Sequence, residues 1–168
     1  AVEVGANASV HVVRWNTSLL YSRMAANGSW TVANLTLYND GGSGFPAQLS
    51  YDEAAGLMVV AWASRGGTGY VRALKENGSA AWGPVSLGTT AANLSVAALG
   101  DGGVVAVWSE GSSVHALKVN ASGAVELADR VLFANEPGVQ TPRPVVLPSG
   151  EVLVVWSSVA GGGGMKVR

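Results

Sequence analysis

Four tryptophans at a near-constant interval constrain this chain more than any other feature. Trp15, Trp62, Trp108 and Trp156 are spaced by 47, 46 and 48 residues, and each ends a short apolar run. The runs are Ser9 to Trp15, Gly56 to Trp62, Gly102 to Trp108 and Gly150 to Trp156. Val104 to Trp108 and Val152 to Trp156 contain no polar residue. A strand of that kind is buried on both faces, and both runs are too short and too rich in valine for helices. A repeat of this length is one supersecondary unit, stable only when stacked on its neighbours.

Each unit reads as four strands. The first covers Val2–Val4, Ala47–Tyr51, Leu94–Leu99 and Pro144–Leu147, and a turn rich in Gly, Asp, Ser or Asn follows it. The tryptophan strand is second. The third is Leu19–Met24, Tyr70–Lys75, Val114–Val119 and Met165–Arg168. Asn27-Gly28 and Asn77-Gly78 are hairpin signals, and they lead to a fourth strand at Trp30–Leu37, Trp82–Leu87 and Ala124–Leu132. The chain therefore reads as one repeat domain, 1–168, with units at about 1–44, 45–90, 91–138 and 139–168. The expected fold is all-β: a β-propeller or propeller-like array of four antiparallel four-stranded repeats, the last incomplete, with a β-sandwich as the alternative. The four tryptophans are expected to be buried in equivalent positions.

The best copy of the unit is Pro46 to Gly56, Leu57-Met-Val-Val-Ala-Trp62, Gly69 to Gly78 and Trp82-Gly83. It resembles the extracellular propeller-like repeat proteins built from Gly-x-Val-Val-x-Trp blades. That resemblance covers nearly the whole chain and implies architecture and a surface or secreted setting, not a reaction.

Composition narrows the partners. Net charge is −1 and charged residues are 12% of the chain, so no footprint for nucleic acid or an anionic membrane is visible. Mean hydropathy is +0.29, yet no run approaches the roughly 18 apolar residues of a spanning helix, and no membrane insertion is expected. Cysteine is absent, which removes disulfides and thiolate metal sites. The chain begins at Ala1 without methionine, as a mature product or a piece of a longer chain would.

The strongest functional signal is Asn-x-Ser/Thr, at Asn7, Asn16, Asn27, Asn34, Asn77, Asn93 and Asn120. Nine asparagines among 24 serines and threonines give about one such site by chance. Asn27, Asn77 and Asn120 align in the three hairpins, where hairpin chemistry alone explains Asn-Gly-Ser. It does not explain the other four. N-linked glycans and a eukaryotic secretory route to the cell surface or exterior are therefore expected. Asn7, Asn27, Asn77 and Asn120 should share one face of the array, and Asn16 and Asn93 the other.

Other chemistry is sparse. His11 and His115 lie on different strands of different units, without metal-ligand spacing, and read as structural. Asp52 and Asp101 sit in equivalent turns, where aspartate bonds its own backbone. The sialidase-type box Ser-x-Asp-x-Gly-x-x-Trp is absent, with Gly78 and Trp82 a faint match. Asn39 to Gly44 lacks the alternating ligands of a calcium loop, and Gly161–Gly164 reads as a flexible connection. Trp30 and Trp82, near the outer hairpins, are the candidates for sugar or partner contact. The resulting expectation is a non-catalytic structural or interaction glycoprotein of the cell surface or matrix, without cofactor or metal, of the kind that forms a filament or other repetitive extracellular assembly; a lectin-like propeller module is the alternative. The edge of the last unit is expected to be completed by a continuing chain or by other copies of the protein.

Overall fold

Leu57 to Trp62 and Val104 to Trp108 are apolar at successive positions because each strand meets a different neighbour on each face. A computed structural model of the chain describes residues 1–41, 44, 46–135 and 138–159, and the backbone of 164–167. It consists of strands and turns, with one short helical turn at Ala6–Ala8. Among the described residues, fifteen strands form four antiparallel sheets in sequence order. Blade one holds β1 (Val2–Val4), β2 (Val10–Trp15), β3 (Leu19–Met24) and β4 (Trp30–Tyr38). Blade two holds β5 (Gln48–Asp52), β6 (Leu57–Ala63), β7 (Gly69–Lys75) and β8 (Ala80–Gly88). Blade three holds β9 (Ala92–Ala98), β10 (Val104–Glu110), β11 (Ser113–Val119) and β12 (Val125–Phe133). Blade four has three described strands, β13 (Gln140–Val146), β14 (Val152–Ser158) and β15 (Gly164–Val167).

The first strands β1, β5, β9 and β13 are the edges that approach one another, so they line the axis. The fourth strands lie outside, and their pairing is broken by register shifts that increase strand twist. Blade faces do the stacking. Val104, Ala106 and Trp108 of β10 meet Val59, Ala61 and Ala73 of blade two. The alternate residues Val105 and Val107 meet Val154 and Trp156 of blade four. Met58, Val60 and Trp62 turn the opposite way, onto Val13, Leu19 and Tyr21 of blade one. This is a propeller arrangement, and the sandwich alternative falls, because four small sheets stack face to flank instead of two large ones packing together.

Two register expectations are corrected. Trp62, Trp108 and Trp156 each point toward the preceding blade and are buried. Trp15 is only half-buried and points toward blade two, on the same face as Val13 and beside Tyr38. The residue of blade one on the face equivalent to that of Trp62 is Arg14. A shift of one residue moves a strand side chain to the other face, and a constant interval cannot reveal it. The hairpins carry a second offset. The left-handed turn glycines Gly28, Gly78 and Gly123 are equivalent, each donating its N–H three residues back, to Ala25, Lys75 and Asn120. Asn120 thus opens its turn, and the true equivalent of Asn27 and Asn77 is Ser122.

Candidate functional site

The turns between first and second strands and the hairpins between third and fourth strands share one end of the array, and the remaining connections share the other. Asn7, Asn27, Asn77 and Asn120 lie in connections of the first kind. Asn16, in the β2–β3 connection, and Asn93, near the start of β9, lie at the opposite end. Asn34 is within β4. Six of these asparagines are exposed and Asn120 is half-buried. In the hairpins, Asn27 Oδ1 accepts from the Ser29 N–H at 3.0 Å and Oγ at 2.7 Å, and Asn77 repeats this with Ser79. Asn120 Oδ1 accepts from the N–H and Oγ of Ser122 and from the Ala124 N–H.

At the end where the first strands begin, a groove of ≈ 270 Å³ opens on the axis between blades two, three and four. Its polar lining is Gln48 from β5, Asn93 and Ser95 from β9, and Thr141 and Arg143 from β13. Pro46, Ala63, Leu94 and Pro142 supply the apolar walls. Among the described residues, Arg143 is the single charged residue of this lining. Asn93 is held in a left-handed conformation (φ 49°), its Nδ2 donating to Ser109 Oγ at 3.0 Å. No spacing rule marks this site, because its members come from three units and meet only when the blades stack.

The opposite end holds a buried polar chain. His11 is 1% exposed, with Nε2 3.0 Å from Ser9 Oγ and Nδ1 2.7 Å from Tyr21 Oη. Ser9 spends its hydroxyl hydrogen on the Ala6 carbonyl at 3.1 Å. Its oxygen therefore accepts from Nε2–H, and Tyr21 donates to Nδ1. Burial, with the Arg23 guanidinium adding to it, lowers the His11 pKa to about 4, and burial raises that of Tyr21 to about 12. Arg23 pairs with Glu76 at 3.5 Å across the blade boundary, and Tyr51 covers the His11 ring. Ser9 is as buried as His11, so this chain cannot meet a substrate.

His115 is also structural, stacked on Trp108 and bonded to Asp129 at 2.7 Å. Among the described residues no three of His, Asp and Glu converge. Asp101 bonds its own turn at the Gly103 N–H. Asp52 does more than its spacing implied: Oδ1 accepts from Ala55 in its own turn, while Oδ2 accepts from Gly100 and Gly102 of blade three. Trp82 is corrected as a contact candidate: it is 6% exposed, inside the core between blades two and three, with Gly123 against its ring. Trp30 is 57% exposed. Of Asn39 to Gly44, residues 42 and 43 lie outside the described residues, as do residues 161–163 of the glycine run and Arg168. No described helix is long and apolar enough to cross a membrane.

No family model and no curated protein sequence matches the chain. Solved structures do. The NanB sialidase of Streptococcus pneumoniae aligns over 92% of this chain and 26% of its own, with TM-score 0.60 and 12% identity. The leech intramolecular trans-sialidase aligns over 98% and 30%, with TM-score 0.63 and 14% identity. TolB from Acinetobacter baumannii aligns over 100% and 40%, with TM-score 0.62 and 17% identity. The chain thus spans well under half the length of these neighbours. Such likeness shows the propeller-type fold. A thermostable family-43 glycoside hydrolase shares it too, at TM-score 0.51 and 12% identity. The expectation of a protein that is not an enzyme is overturned by these neighbours. It rested on the lack of catalytic motifs in the sequence, whereas solved structures of this fold include sialidases and a glycoside hydrolase.

Proposed function

We propose that the chain is a carbohydrate-binding propeller module of an N-glycosylated extracellular protein, holding glycan in the axial groove. One observation carries the reading: Gln48, Ser95 and Arg143, from three successive inner strands, converge with Asn93 and Thr141 on one groove. Amide, hydroxyl and guanidinium groups over short apolar walls suit sugar hydroxyls, and Arg143 suits an anionic substituent. The sialidase and glycoside hydrolase neighbours agree with a sugar ligand. The exposed sequons support the secretory route.

Glycan-array screening followed by calorimetric titration tests the site. Arg143→Ala should weaken the selected glycan by about ten-fold or more, the value of one charge-assisted hydrogen bond, and Gln48→Ala by about five-fold, the value of a neutral one, while Arg65→Ala should not. An Arg143→Ala protein of unchanged affinity, or a wild-type chain that retains no glycan, refutes the site. The retained glycans are also assayed for cleavage, which separates binding alone from hydrolysis.

Assembly with other copies, or with a continuing chain, is a second reading. The flank of blade four favours it, with Val145 46% exposed and β15 ending the described sheet. A further strand added there would satisfy the edge. Sedimentation of the secreted protein tests this, and a compact monomer at high concentration refutes it for this chain.

A further inference from the structure

The flank of blade one that faces away from blade two is built like an interface between blades, yet no described residue covers it. Val2 and Val4 of β1 are 65% and 61% exposed there, and Trp30 of β4, at the far side of the same sheet, is 57% exposed. The blade-stacking tryptophan is missing from this face, with Arg14 in its place. Within the flank, Val12, Arg14, Ser22, Trp30, Ala33 and Asn34 enclose a recess of about 420 Å³.

Asn34 begins the sequon Asn34-Leu35-Thr36 and is held in a left-handed conformation (φ 53°). Its N–H donates to Ser22 Oγ at 3.0 Å, and its Oδ1 accepts from Arg14 Nη2 at 3.1 Å. Nδ2 has no hydrogen-bond partner among the described residues. The amide is therefore fixed through its oxygen, and the nitrogen that would carry a sugar is free. Asn93, in contrast, spends its Nδ2 on Ser109. Trp30 lies on the same strand and in the same recess, with its ring exposed.

We infer that an N-linked N-acetylglucosamine on Asn34 covers this flank, with the apolar face of its ring seated on Trp30, in the place a further blade would occupy. The inference rests on the N-glycosylation reading above. Attachment joins sugar C1 to Nδ2, breaks the C1–O bond to the pyrophosphate of a lipid-linked oligosaccharide donor, and releases one Nδ2 proton. The pyranose carries C–H groups on one face, which pack on an indole, and hydroxyls at its rim, which Arg14 and Ser22 can bond. Such a sugar hides apolar area that would otherwise invite association, and a blade docked on the flank would compete with it for the same surface.

The test uses the full chain secreted from eukaryotic cells, with site occupancy by peptide mapping. Asn34 should be occupied. Thr36→Ala removes the sequon but keeps Asn34 and its bond to Arg14. It should raise the unfolding equilibrium constant about three- to ten-fold, the worth of one ring packed on an aromatic face. In a Trp30→Ala background the same change should have no effect. Three results overturn the inference in separable ways. No occupied sequon defeats the glycosylation reading itself. Other sites occupied with Asn34 bare defeats this inference alone. An Asn34 glycan whose effect persists without Trp30 defeats the seating.

Discussion

His11 makes the interface between blades one and two sensitive to acid, over a window set by its own chemistry. Its pKa is lowered from 6.5 to about 4 by burial, then by Arg23, with Glu76 opposing. A depressed histidine pKa means that the unfolded chain binds a proton that the folded chain refuses. Stability is therefore whole above pH 6.5, falls as pH drops toward 4, and stops falling from this cause below that. The full loss is about 3 kcal/mol, and about 2 kcal/mol of it falls between pH 7 and pH 5, before most carboxylates titrate. The molecular event is the arrival of a proton at Nδ1, which now accepts from the Tyr21 hydroxyl at 2.7 Å.

Urea unfolding at pH 7, 6 and 5 measures the slope. His11→Gln will lower stability at every pH, since Ser9 and Tyr21 lose their partner, so the absolute value decides nothing. The slope decides: the variant should lose about 2 kcal/mol of pH dependence across that range. If His11→Gln retains the wild-type slope, another group is responsible and the buried neutral histidine is refuted. His115→Gln, made in parallel, should leave the His11 part of the slope intact.

Two further predictions concern packing between blades. Asp52→Ala leaves the Gly100 and Gly102 N–H groups without their acceptor, and should cost about 3 kcal/mol, or about 8 °C in melting temperature; scanning calorimetry showing under 2 °C would refute the clamp. Gly123→Val would set a Cβ 2.6 Å from Trp82 at a φ of +86°, so it should destabilise far more than Gly28→Val, whose Cβ meets nothing within 4 Å; equal unfolding midpoints for the two would refute that contact.

The legible part of this fold was the part fixed by local chemistry. Runs such as Val104 to Trp108 declare burial on both faces, and the turn glycines declare hairpins, so strands and sheets follow from neighbours in sequence. Asp101 bonding its own turn belongs to the same class. Face and register do not. Trp15 keeps the interval of its counterparts and points the other way, because the strand period of two turns one extra residue into a change of face. Asn120 aligns by its preceding Leu-Lys and yet opens its turn, because Gly123, not the asparagine, sets the hairpin. The groove was illegible for a further reason: Gln48, Ser95 and Arg143 are ordinary polar residues on separate units, and only the stacking of three blades brings them together.

The same logic separates the two ends of the array. Each of blades two to four offers a tryptophan to the blade before it, and each burial removes a large ring from water, a strong term in holding a stack together. Blade one breaks the rule with Arg14, while Trp15 adds a second indole to the boundary with blade two. The one-residue shift therefore strengthens one interface at the cost of the opposite flank. Arg14 is not wasted there, since it holds the Asn34 amide by its oxygen. This flank therefore differs from the other blade faces: it lacks the stacking ring, exposes Val2 and Val4 on β1, and fixes the Asn34 amide on β4. Blade four makes no such substitution: Leu153 and Val155 alternate with the buried Val154 and Trp156, as Val105 and Val107 alternate with Ala106 and Trp108 in blade three. The two ends of the array therefore differ: the blade-four face keeps the alternation of a stacking strand, and the blade-one face does not.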